Sequence, residues 1–265
     1  LYEEASTPWE WHRQIFEYAK ERGVSAFSTP FDDSAVAFLE DLNAPCYKIS
    51  SFEITHLPLI RRVAETKKPL IISTGMATLA EIDAAVDAAT RCGCQDLILL
   101  KCTSAYPSPA GNANLITIPV MAKTFGCDVG ISDHSIGIGV AVAAVALGAV
   151  MIEKHITLDR LDGAVDSSFS MEPQDLVNLV VESKRAWQSI GEISFGPTEA
   201  DSRSRQFRRS VYVVRDLEAG HLLSEDDLRI IRPSYGLTPD DLKLVVGRVL
   251  KANVSRGTAM TWDLV

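Results

Sequence analysis

Short, almost wholly apolar segments alternate with amphipathic ones along the first two-thirds of this chain, and that alternation limits its fold more than any other feature. Six segments read as strands: Ser25–Thr29, Cys46–Ser50, Pro69–Thr74, Asp96–Thr103, Cys127–His134 and Val150–Thr157. Helices are predicted between and after them, over Asp33–Leu42, Leu57–Glu65, Thr78 to Arg91, Leu115–Phe125, Gly137–Leu147 and Pro173–Ile190. Another helix precedes the first strand, with Thr7-Pro8-Trp9-Glu10 as a capping box and proline at the first helical position; Thr78-Leu79-Ala80-Glu81 is a second such box. Strands apolar on both faces belong in a parallel sheet covered by helices. An open doubly wound sheet and a barrel both meet that condition.

Polar residues at the strand ends separate the two. They occur after every strand: Thr29; Lys48 with Ser50 and Ser51; Ser73 and Thr74; Thr103 and Ser104; Asp133 and His134; Lys154 and His155. An open sheet gathers its site at one switch point, whereas a (β/α)₈ barrel builds it from all its strand ends. The expected fold is therefore α/β, a TIM barrel. Six units do not close such a barrel and the chain opens into a helix, so its first two strands are expected to be missing from this sequence.

A polar, breaker-rich stretch from Gly196 then changes the pattern. Expected divisions are a barrel domain at 1–195, a linker at 196–209 and a small β-rich domain at 210–265. In the last, Ser224-Glu225-Asp226-Asp227 and Thr238-Pro239-Asp240-Asp241 cap short helices.

With 35 acidic against 26 basic residues the net charge is −9, which argues against nucleic-acid and anionic-membrane partners. The longest apolar run, Ile138–Ile152, is too short and too rich in alanine and glycine for a membrane span, and Leu1-Tyr2-Glu3-Glu4 is too acidic for a leader. Five cysteines, an odd number, read as reduced thiols of a cytoplasmic protein.

Two matched stretches carry the chemistry: Ile131-Ser132-Asp133-His134 and Ile152-Glu153-Lys154-His155, with histidines 21 residues apart, about one strand–helix repeat. Imidazoles at neighbouring strand ends suit Mn²⁺, Zn²⁺ or Fe²⁺, with Asp133 and Glu153 near enough to orient them. Two ligands are too few for a structural site, which leaves an open catalytic one, or else a pair of hydrogen-bonded structural histidines. Lys48, inside an apolar strand, reads as an anion contact or an edge residue. Thr29, Ser51, Ser73 and Ser132 lie near Gly75 or Gly130 and form a plausible phosphate cradle, though singly each reads as a turn or cap residue. Tyr106 is either a site residue or a loop-packing aromatic. Asp162 and Asp166 follow the last strand, and Arg208, Arg209 and Arg232 are either site cations or ordinary surface arginines.

Six ordered motifs together resemble the sialic-acid synthase family: Phe27–Asp32, Tyr47–Glu53, Ile72–Met76, Cys102–Pro107, Ser132–His134 and Glu153–His155. The tail from Ser210, with Arg232-Pro233, resembles that family's antifreeze-like (SAF) domain. Within the family, Thr7–His12 is most similar to the pseudaminic-acid branch. The resemblance implies a cytoplasmic transferase that condenses phosphoenolpyruvate with an amino-sugar aldehyde of the 2,4-diacetamido-2,4,6-trideoxy-altrose type and water, giving pseudaminic acid and phosphate. Neuraminic or legionaminic acid synthesis is the neighbouring alternative, and a non-catalytic carbohydrate-binding or scaffold protein the alternative of another class. It further implies Lys48, Glu53, His134 and His155 as catalytic residues. His134 and His155 would hold a divalent metal, Mn²⁺ with Mg²⁺ or Co²⁺ as alternatives. Thr29, Lys48, Ser51, Ser73, Ser104, Tyr106, Ser132, Asp166 and Arg232 would bind substrate, Arg232 reaching across a domain-swapped homodimer. The family's two opening strands, which carry a Glu and a Lys, are those expected to be missing.

Overall fold

The structure, a computed structural model, describes residues 6–265, and it divides into two compact units between Gly191 and Glu192. The acidic opening Leu1–Glu4 lies outside the described residues.

In the first unit α1 (Trp9–Glu21) and α2 (Asp33–Asp41) precede β1 (Tyr47–Ile49). Then follow α3 (Leu57–Ala64), β2 (Leu70–Ser73), α4 (Leu79–Arg91), β3 (Leu97–Cys102), α5 (Thr117–Phe125), β4 (Asp128–Ser132), α6 (Gly139–Ala146), β5 (Ile152–Glu153) and α7 (Pro173–Ile190). The five strands pair in parallel in the order β1-β2-β3-β4-β5. Each strand lies beside the next in sequence, so the sheet has no switch point. With right-handed crossovers the helices all fall on one face, which makes this sheet a half-barrel of TIM type rather than an open doubly wound sheet.

Ser25–Thr29, expected as a sixth strand, forms no ladder. Its small and hydroxylated residues stay partly or fully exposed and drive no burial, and Pro30 follows at once. The Thr7 capping box does not form either: Pro8 holds the N-cap position without a side-chain cap, and the His12 ring nitrogen Nδ1 lies 3.1 Å from the Pro8 carbonyl instead. The Thr78–Glu81 box is present in full.

Alternation along each strand decides which side chains face the helices. Tyr47 and Ile49, Leu70 and Ile72, Leu97 and Leu99, and Val129 and Ile131 enter one core with Val36, Leu59, Ile82 and Ile118 from the helices. The residues between them, among them Lys48, Ser73, Cys102, Ser132 and Glu153, therefore share the opposite, inner face. Register places Cys102 beside Ser132 and Ser132 beside Glu153, a polar row across three strands.

The second unit carries its own core, built on Val211, Val213, Leu223, Leu228, Leu250 and Met260. Its antiparallel pair is β6 (Ser210–Val213) and β7 (Leu228–Ile231). Short helical turns sit at Glu225–Asp227 and Pro239–Asp241, each with a capping box. The stretch 196–209 contains two further turns, Glu199–Ser202 and Arg203–Phe207. Beyond that pair, this unit contributes isolated bridges, Leu222 with Val249, Leu217 with Val254 and Tyr212 with Ala259, rather than further ladders.

Candidate active site

A cavity of about 260 Å³ opens at the carboxyl ends of the parallel strands, lined by Thr29, Lys48, Ser50, Ser51, Phe52, Ser73, Cys102, Tyr106, Ser132, His134, Glu153 and His155. Eight of the expected site residues thus come together: Thr29, Lys48, Ser51, Ser73, Tyr106, Ser132, His134 and His155.

Its floor carries an ion pair. Lys48 is buried, donates to the Ile49 carbonyl at 3.2 Å, and places Nζ 3.5 Å from Glu153 Oε2. The other carboxylate oxygen of Glu153 accepts from Ser132 Oγ at 2.6 Å. Ser51 Oγ accepts from the Gly75 backbone N–H at 3.0 Å. A Cβ on Gly75 would come within 2.2 Å of Ser104 Oγ and 2.7 Å of Ser51 Oγ, so only glycine lets the two hydroxyls close on this turn. Ser73, 1% exposed, and Ser104 have buried hydroxyls with no hydrogen-bond partner among the described residues. A buried hydroxyl left unpaired costs free energy unless a ligand satisfies it.

Opposite the lysine stand the imidazoles, 5.1 Å apart between ring centres and nearly perpendicular at 75°. His134 Nδ1 lies 3.0 Å from the Thr103 carbonyl, which can only accept, so Nδ1 carries the proton and Nε2 presents a lone pair in the neutral ring. Between ring centres Tyr106 lies 4.3 Å from His134, tilted by 49°, and Phe169 lies 5.3 Å from His155. Asp166 Oδ2 is 3.5 Å from His155 Nδ1. Burial and then the neighbouring His134 pull His155 below the usual imidazole range. Burial would lower His134 too, but hydrogen bonds to Cys102 and the Thr103 carbonyl raise it overall. The Cys102 thiol, which burial alone would raise, is brought down by His134 and Ser51. Among the described residues no set of three or more His, Cys, Asp or Glu is arranged to hold a metal. The two imidazoles, His134 with its Nε2 lone pair turned away from the Thr103 carbonyl, are donors of the kind a divalent ion takes.

Four expected residues sit elsewhere or differently. Glu53 is not in the lining; its carboxylate accepts from the Ser50 hydroxyl within one turn. Ser104 lies behind the lining, against Gly75. Arg232 is exposed in the second unit. Asp133, read as orienting a histidine, instead accepts from Lys154 and from the Ser135 N–H on the outer face.

Residues 1–194 match the NeuB family and 208–265 the SAF domain. The chain belongs to the NeuB family. It is 41% identical over 259 residues to the pseudaminic acid synthase of Helicobacter pylori, covering 96% of this chain and 76% of that one. To the N,N'-diacetyllegionaminic acid synthase of Legionella pneumophila it is 37% identical over 257 residues, covering 95% and 72%. The crystal structure of the Bacillus subtilis spore coat polysaccharide biosynthesis protein superposes with a TM-score of 0.68 at 29% identity, covering 98% of this chain and 78% of that one. The family expected from the six motifs is the one found.

In this NeuB-family chain the side chain underweighted by sequence reasoning is Glu153, first read only as a metal-orienting group. The signal was available: Glu153 and His155 are two apart on a strand, as are Ser132 and His134, so each pair shares a face. Cys102, in register with Ser132, lines the cavity as well. All five cysteines are free.

Proposed function

We propose that this chain forms a phosphoenolpyruvate-binding and sugar-condensing site that makes a nonulosonic acid, with pseudaminic acid as the product. One observation carries the reading: a buried ammonium, the partnerless buried hydroxyl of Ser73 and a pair of imidazoles meet in one cavity at the strand ends. Lys48 with Thr29, Ser51, Ser73 and Ser132 would hold the phosphate and carboxylate of phosphoenolpyruvate. Tyr106 and Asp166 would contact the sugar. The imidazoles of His134 and His155 would hold a divalent metal, Mn²⁺ first, which when bound polarises the sugar aldehyde.

Bond by bond, C3 of phosphoenolpyruvate attacks the aldehyde carbon, whose oxygen takes up a proton. Water adds at C2 and gives its proton to the cavity carboxylate, for which Glu153 is placed. The C2 hydroxyl then collapses to the ketone as the C2–O bond to the phosphate breaks. Its proton leaves with inorganic phosphate, which Lys48 and the hydroxyls hold, while the proton taken by the carboxylate balances the one gained by the aldehyde oxygen. Glu53, turned away to Ser50, has no part in this scheme.

The H. pylori relative favours pseudaminic acid, and the L. pneumophila relative, nearly as similar, makes legionaminic acid the second reading. We further propose a cytoplasmic homodimer in which Arg232 serves a partner's site. The free cysteines support the compartment, and no helix of the described residues is long and apolar enough to cross a membrane. The test is phosphate release from phosphoenolpyruvate with each diacetamido sugar, with and without Mn²⁺, and product mass. Release that needs the altrose-type sugar supports the reading; sugar binding without release supports a binding protein instead.

A further inference from the structure

Behind the polar row, on the helix side of the same strands, lies a separate groove of about 410 Å³ between α4 and α5. Its walls are Met76, Ala77, Leu79, Ile82, Val120, Met121 and Phe125, with Thr74, Thr117 and Thr124 at the edges. One charged group enters it, Lys101. Alternation on β3 turns Lys101 away from the inner face that Cys102 occupies. Its ammonium donates to the Cys102 carbonyl at 3.1 Å, and among the described residues it belongs to no ion pair. Met76, Leu79 and Val120 stay exposed at the mouth.

A half-buried ammonium among aliphatic walls is expensive without an anion beside it. Most lysines escape by extending into water, but this one stays against the backbone, and burial pulls it below the ordinary lysine range. Nothing in the condensation scheme uses it. The groove offers one cation at its inner end and an aliphatic channel leading outward, which is the complement of a carboxylate on an apolar tail.

We propose that the α4–α5 groove binds a small amphipathic carboxylate, its anion on Lys101 and its aliphatic body along Leu79, Val120 and Met121. The groove shares Cys102 with the catalytic cavity, so an occupant contacts the back of a strand whose front lines that cavity. The site stands independently of the proposed condensation.

Calorimetric titration of the whole chain with octanoate tests it, with octanol as the uncharged comparison. Saturable octanoate binding is expected, about tenfold or more tighter than octanol, from one charge-assisted contact. Lys101→Met should remove that preference and Lys101→Arg should keep it. Val120→Trp, which fills the mouth, should abolish binding of both, with an unchanged thermal transition showing that the fold persists. Equal affinity for octanoate and octanol, octanoate binding unaltered in Lys101→Met, or no saturable binding to the wild-type chain would each overturn the proposal. Octanoate binding that survives Val120→Trp would place the ligand elsewhere and overturn it too.

Discussion

Lys154 Nζ lies 2.8 Å from Asp133 Oδ2 with both side chains only 3% exposed, directly behind the strands that present the two imidazoles. Lys154 also donates to the Ser135 carbonyl at 2.6 Å, so the pair ties the loop after β4 to the end of β5. Breaking one member of a buried pair leaves the other charge uncompensated, at a cost of about 3–5 kcal/mol. Lys154→Met is therefore expected to lower the urea midpoint by that much stability. The double variant Asp133→Asn/Lys154→Met should lose less than the sum of the two single changes. Additive losses in the double-mutant cycle would show that the two do not act as a pair.

Much of this was legible in the sequence, and the reasons are specific. β2 and β3 are apolar runs bounded by Pro69 and Asp96 at one end and hydroxyls at the other, so composition alone located them within a residue or two. Ser25–Thr29 carries the same turn signals but too little apolar surface, and no ladder formed. The imidazole pair was readable because strand ends recur at one strand–helix interval. The assignment of Asp133 was not, because choosing between neighbours on a strand requires knowing which face is inside. That information resides in which neighbours, Tyr47 and Ile49 for example, enter the helix-side core.

Gly75→Ala should disable the cavity without unfolding the chain. The added methyl would meet the hydroxyls of Ser104 and Ser51 at 2.2 Å and 2.7 Å, so at least one must swing away. Losing the Ser51 acceptor of the Gly75 N–H shifts the wall that faces Lys48. Sugar-dependent phosphate release is expected to fall by about 10²-fold, the scale of a roughly 1 Å misplacement. The companion variant Gly75→Ala/Ser104→Gly, which frees the nearer space, should recover part of the rate. No recovery would point to Ser51 as the group that matters.

Lys48→Met tests which substrate the cavity floor holds. Its ammonium is the cation of the cavity lining, and a charge-assisted hydrogen bond is worth about 1.5–3 kcal/mol. KM for phosphoenolpyruvate should rise by about 10- to 150-fold, with little change in KM for the sugar. Equal rises in both would show that Lys48 acts on the shape of the cavity rather than on an anion.

The second unit should unfold in acid before the first, and Asp227 supplies the reason. Its side chain is fully buried, and both oxygens are occupied: Oδ1 accepts from Arg215 at 2.6 Å, Oδ2 from the Ser224 N–H at 2.8 Å and hydroxyl at 2.7 Å, with the His221 ring nitrogen at 3.0 Å. Burial alone would raise the carboxyl, but the Ser224 backbone, His221, the Ser224 hydroxyl and Arg215 more than offset it and hold it far below the usual carboxylate range. A depressed native value means that Asp227 stabilises the fold above the unfolded-state value of about 3.9 and that this contribution drains away as the pH falls below it. Hydrogen exchange in β6 and β7, corrected for intrinsic rates, should therefore accelerate as the pH falls from about 4 to about 2, by up to about tenfold per pH unit, the limit for one proton taken up on unfolding. Asp227→Asn should start from lower stability at neutral pH and show a flatter dependence over the same interval. An Asn variant with the wild-type acid dependence would assign the effect to other carboxylates.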